Sequence, residues 1–194
     1  MPGLIKLGLA LLAMLVACAS TSGASPHDMS VAGHESAARE EEKKAAPGEA
    51  AAHRAAAEAL RGEEAWACAG IAEADRDASP LRPEVIESVS RLEDTTISTK
   101  TGPPHRLVGA VISVRAAPGL TGEWLQRSIH CHVARIALRG NDPPGMEACP
   151  FAPGDLEVRV SSSGEGFRIE LRASTAKVAE EILRRAQVLA AQLK

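Results

Sequence analysis

The sequence predicts a small α+β domain with the order strand, helix, strand, strand, helix, preceded by an alanine-rich helical region and a tether. Three observations carry that expectation. Val108, Ala110, Ile112 and Val114 alternate strictly, the period of a strand. Two short runs, Leu156/Val158/Val160 and Phe167/Ile169/Leu171, alternate apolar with charged residues and are joined by "SSSGEG", which reads as a hairpin. Two further segments carry helical stripes, one at Leu125, Ile129, Val133 and Ile136, the other at Val178, Ile182, Ala186, Leu189 and Leu193.

From the N-terminus, Lys6 is the sole charge before Cys18, and an apolar run from Leu7 to Ala17 follows it. That run is shorter than the roughly 20 residues a permanent membrane helix needs. A positive start, a short apolar core and small residues at its end make the pattern of a cleaved signal peptide over residues 1–17. "LVAC", Leu15 to Cys18, resembles the lipobox of bacterial lipoproteins, in which the cysteine is acylated with palmitate-type chains and begins the mature protein. The resemblance implies lipidation at Cys18 and an anchor in the bilayer. Ala19 and Ser20 follow with no aspartate, which by the same resemblance implies the outer membrane, facing the periplasm.

Residues 18–48 are rich in Ser, Gly, Ala, Pro and charge without an apolar period, so they read as a lipidated, flexible tether. Within it His27, Met29 and His34 are ordinary polar-linker residues or a weak attraction for a soft metal ion. Residues 49–101 form a lead-in region. Alanine and glutamate favour a helix from Glu49 to about Ala67, and chain through "CAGIAEADRDASPLRP" is less regular. "PEVIESVSRLE" is expected to add a short helix before a linker.

The compact domain is expected over residues 102–194. Its first strand ends at Pro118–Gly119. Thr121 can cap the next helix, Glu123 complements its positive end and Gly140 ends it. The hairpin follows a Pro- and Gly-rich loop, "NDPPGMEACPFAPG". Ser174 can cap the final helix, where Glu180–Arg184 and Glu181–Arg185 pair on the solvent side. A small antiparallel or mixed sheet with both helices on one face hides every apolar side. The topology resembles ferredoxin-like modules, a likeness of fold that implies no function.

"SIHCHVAR" places His130, Cys131 and His132 in the first of these helices. Adjacent helical residues diverge by about 100° and cannot ligate one ion from one face. His130 points toward Gln126 and solvent, Cys131 lies at the edge of the stripe and His132 near it. Apart from Cys18 there are three thiols, Cys68, Cys131 and Cys149. An exported compartment favours disulfides, and Cys131–Cys149 is the pair closest in sequence, although any two of the three could join. The alternative is a copper or zinc site drawn from Cys68, Cys131, Cys149, His132 and His105.

A formal charge of −3, moving to −4 once Lys6 is removed with residues 1–17, gives no footprint for nucleic acid. Two Trp, two Phe and no Tyr leave little stacking surface. The expected function is therefore non-enzymatic: a lipid-anchored module of the cell envelope that contacts another envelope protein and needs no cofactor. The whole chain resembles small envelope lipoproteins through "ACAGI…DRD", "GEWLQRSIHCHVAR" and "CPFAPGDLEVRV". The rival expectation is a periplasmic copper- or zinc-binding lipoprotein.

Overall fold

A computed structural model describes residues 29–94, 106–140, 143–154 and 156–192. The expected signal segment, Cys18, His27, His105 and Leu193 lie outside the described residues.

The chain enters through two packed helices, α1 (Val31–Lys43) and α2 (Pro47–Ala67). The Ser30 hydroxyl caps α1 by accepting the Gly33 N–H at 3.0 Å. Composition suggested a tether through residue 48, but residues 31–43 are helical. The reason is the size of the buried side chains: Ala38 of α1 and Ala50, Ala56, Ala57 and Leu60 of α2 are all buried. Small residues let two helices pack with little apolar volume, a pattern a hydropathy scan passes over. Ion pairs Glu35–Arg61 and Glu42–Arg54 bridge the two helices.

After α2 come the single turn α3 (Glu73–Arg76), a 3-10 turn at Pro83–Val85 and the strand β1 (Ile86–Asp94). Here the expectation of a helix in "PEVIESVSRLE" is corrected. Ile86 and Val89 stand three apart, as on a helix, but a bulge between Ile86 and Ser88 adds one residue. Both side chains therefore reach the same sheet face, opposite Val114 and Ile112. The compact domain consequently begins before residue 102.

β1 pairs antiparallel with β2 (Arg106–Arg115), β2 with β4 (Gly166–Ala173), and β4 with β3 (Leu156–Ser163), in the order β1-β2-β4-β3. The four-stranded sheet and its helices make an α+β two-layer domain. Ala110, Ile112 and Val114 of β2 stand opposite Leu171, Ile169 and Phe167 of β4, giving one continuous apolar face. Helix α4 (Gly122–Leu138) contributes Leu125, Ile129 and Ile136 to this core, and α5 (Ala176–Ala191) contributes Ile182, Leu183 and Ala186. Gly109 is required at its site, because a Cβ there would lie 1.8 Å from the Leu171 carbonyl oxygen.

The caps of α4 and α5 both come from threonine. Thr121 accepts the Trp124 N–H at 3.1 Å, and Thr175, one residue past the expected Ser174, accepts the Val178 N–H at 3.3 Å. The expected stripe of α5, Val178, Ile182, Ala186 and Leu189, packs on the core, and the buried face is wider than expected, taking in Ala179 and Leu183. Arg185 is buried rather than solvent-facing, and its guanidinium donates to Glu181 Oε1 at 2.6 Å and to the Met146 carbonyl at 3.0 Å. Edge strand β3 is blunted by a side chain: Gln126 of α4 accepts the Val160 N–H at 2.6 Å and donates to the Val158 carbonyl at 3.0 Å.

Candidate functional site

Helix α4 is the hub on which the sequence's cysteines and histidines are arranged. Its residues 130, 131 and 132 point three ways, as helical geometry requires. The Nε2 of His130 meets the Gln126 amide nitrogen at 2.6 Å. Cys131 turns toward α2 and is bonded to Cys68, with Cα atoms 4.5 Å apart. His132 turns toward the loop before β3, where its Nε2 lies 3.4 Å from Cys149 Sγ.

The expected disulfide Cys131–Cys149 is therefore corrected to Cys68–Cys131. Cys149 approaches α4 on the face of His132, about 100° around the helix from Cys131. Cys68 is delivered to Cys131 by the packing of α2 on α4, which sequence separation hides. The expected metal set is divided by the same bond. Cys68 and Cys131 are oxidised to each other and offer no thiolate, while Cys149 and His132 remain together. Among the described residues no group of three or more His, Cys, Asp or Glu side chains is placed to hold a metal ion.

His132 is buried and Cys149 half-buried. His132 packs edge-on against Phe151, with ring centroids 5.9 Å apart. Desolvation pushes its pKa down to about 4, and the guanidiniums of Arg139 and Arg135 add to the effect. Burial pushes the Cys149 thiol up, against the opposing pull of the Phe151 and Ala152 backbone N–H groups and of Arg185. Both shifts favour the neutral forms, so at pH 7 the pair is a thiol and an imidazole rather than a thiolate–imidazolium nucleophile.

Beside the disulfide is a groove of about 490 Å³, within the range of small-ligand sites. Its walls come from α3, residues 78–85, the turn 117–120 and the start of α4. Ile71 and Cys131 line it, and so does Ser128, whose buried hydroxyl has no partner among the described residues. Trp124 also lines it and is 46 % exposed. Sequence reasoning missed this groove, since its apolar residues come from separated segments with no shared period. The exposed tryptophan near the start of α4 was the available signal.

A second cavity, about 300 Å³, is lined by His132, Met146 and the side chains of Arg76, Asp77, Arg135 and Arg139. Arg135 pairs with Asp77 at 2.6 Å and Glu64 at 3.1 Å, and Arg139 pairs with Asp77 at 3.5 Å. Elsewhere, His34 of α1 is fully buried against His53 of α2, their Nδ1 atoms 3.1 Å apart, and the His34 Nε2 has no partner among the described residues.

No protein-family model matches the chain, and neither curated proteins nor solved structures give a match.

Proposed function

We propose that the chain is a non-enzymatic, lipid-anchored envelope module that docks an apolar segment of another envelope protein in the groove beside Trp124. The groove carries this reading. A large, partly exposed indole lines a mainly apolar groove together with the Ser128 hydroxyl, which is unpaired among the described residues, a surface that a partner side chain and one polar group would complete. The anchor rests on the lipobox at Leu15–Cys18. The Cys68–Cys131 disulfide supports an oxidising compartment such as the periplasm. The neutral Cys149–His132 pair supports a role other than thiol catalysis.

A photo-reactive residue in place of Trp124 should cross-link one discrete envelope protein in intact cells. The same residue at Arg159, on the far edge strand, should give no reproducible product. Equal capture at both positions would rule out the groove as the docking surface. Cys18→Ser should move the chain from the membrane to the soluble fraction; unchanged membrane retention would remove the anchor from the proposal.

A further inference from the structure

His132, Arg135 and Arg139 are spaced three and four apart along α4 and its C-terminal cap, so they share one face of the helix. That face looks onto the end of α3, where Arg76 and Asp77 stand, and these five side chains wall the cavity of about 300 Å³. Three guanidiniums against one carboxylate leave an excess of two positive charges in the wall. Glu64 and Glu73, which pair with Arg135 and Arg76, lie outside the lining.

Those pairs do not exhaust the guanidiniums. Arg135 and Arg139 converge on a single oxygen, Asp77 Oδ1, at 2.6 and 3.5 Å. The buried Arg135 Nε has no partner among the described residues. Arg139 meets Asp77 as an ion pair only, its guanidinium making no hydrogen bond among the described residues. The field inside is positive as well. Burial is the largest cause of the low His132 pKa, but Arg139 and Arg135 lower it further despite Asp77. The charged groups around that imidazole are the four in the wall, with Arg185 acting on the neighbouring Cys149.

An oxyanion suits such a wall. A carboxylate offers two oxygens and one charge, which Asp77 already supplies. A phosphate monoester offers three outer oxygens and about two charges at neutral pH, enough to face Arg76, Arg135 and Arg139 together. The Asp77 side chain is 66 % exposed and can turn to solvent, ceding the place of its Oδ1. Arginines near the end of α4 also complement its negative pole, but that task does not require two of them to meet at one oxygen.

We propose that Arg76, Arg135 and Arg139 bind the phosphate group of a phosphate monoester in this cavity, displacing the Asp77 carboxylate. Charge-assisted hydrogen bonds hold it, and no covalent bond of the ester is made or broken. The ester is either a small soluble one or a lipid headgroup. A Cβ at Gly140 would lie 3.1 Å from the Ser30 nitrogen, so the chain enters α1 next to Arg139, twelve residues on from Cys18. That placement makes the headgroup worth testing. Arg76 lines the Trp124 groove too, but the site does not rest on docking there.

The test uses the full chain with Cys18→Ser in a non-ionic detergent, at neutral pH and low salt. Glycerol 3-phosphate, inorganic phosphate and acetate are titrated by calorimetry, with the imidazole protons followed by NMR. Both phosphates should bind one per chain, at least about 10-fold tighter than acetate. Bound phosphate should raise the pH at which His132 titrates and leave His130, which faces Gln126, unmoved. Arg139→Gln, at a half-exposed side chain, should weaken binding about 10-fold with an unchanged unfolding midpoint. Asp77→Asn should strengthen it several-fold. Dihexanoyl phosphatidic acid below its micelle concentration identifies the source: tighter binding than glycerol 3-phosphate assigns a lipid headgroup, and equal or weaker binding a soluble ester. Absence of phosphate binding, acetate bound as tightly as phosphate, or affinity untouched by Arg139→Gln would each overturn the proposal.

Discussion

Cys68 and Cys131, separated by 63 positions, are joined in a disulfide that fastens the end of α2 to the middle of α4. The bond thereby ties the alanine-rich helices to the α+β layer. His132, one residue on, holds the opposite loop through Cys149. Neighbouring residues on one helix thus secure two different parts of the chain.

Breaking the first of these links has a calculable cost. A closed loop of this length stabilises by about 4 kcal/mol on the chain-entropy estimate. The double variant Cys68→Ala/Cys131→Ala should lose roughly that much in urea unfolding. Unreduced protein denatured in the presence of an alkylating agent should be labelled at Cys149 and at neither Cys68 nor Cys131. Label at Cys68 would disprove the pairing.

The buried imidazole makes stability depend on pH. His132 has its pKa lowered from 6.5 to about 4 in the folded chain, so between those values the unfolded chain binds more protons. Its contribution is complete above pH 6.5 and disappears as pH falls toward 4. The loss should reach about 3 kcal/mol. His132→Gln should flatten that interval. The carboxyl of Glu181, held down to about 2 chiefly by its hydrogen bonds to Arg184 and Arg185, contributes fully above about 4.5 and loses its effect progressively as pH falls from there to about 2. The two windows are therefore separable in a pH series of unfolding curves.

Gly109→Ala should be among the most damaging single substitutions. The added methyl would occupy the space of the Leu171 carbonyl oxygen, and β2 would have to move off β4. We expect a loss of at least about 3 kcal/mol, read as a lower thermal midpoint. A midpoint within a degree of the parent would contradict this strand register.

Gln126→Ala tests the cover on edge strand β3. Removing the amide frees the Val160 N–H and the Val158 carbonyl together, and the expected cost is about 1–3 kcal/mol. Hydrogen exchange should show it locally, with faster exchange at Val160 and unchanged protection at Ile112. Uniform loosening of the whole sheet would argue against a role confined to the edge.

His34→Leu works in the other direction. The substitution removes a buried Nε2 that has no partner among the described residues and leaves the half-buried His53 able to bond water. Stability should stay level or rise by about 1 kcal/mol. A drop larger than that would mean the imidazole pair holds α1 on α2.

The order strand, helix, strand, strand, helix was legible in the sequence because Ala110/Ile112/Val114, Phe167/Ile169/Leu171 and Leu125/Ile129/Ile136 each carry a local period that names an element and its buried face. Thr121 and the "SSSGEG" turn were legible for the same reason: caps and hairpins are short-range chemistry. β1 was hidden by its bulge, which turns a three-residue spacing into one sheet face. Helix α1 was hidden by its alanines, whose fit depends on the opposing alanines of α2. The cysteine pairing, the partner of His132 and the Trp124 groove all depend on which segments meet in space. Local periodicity fixes the direction in which a side chain leaves its own element. Only the packing of α2 and the Cys149 loop on opposite sides of α4 decides what that side chain meets.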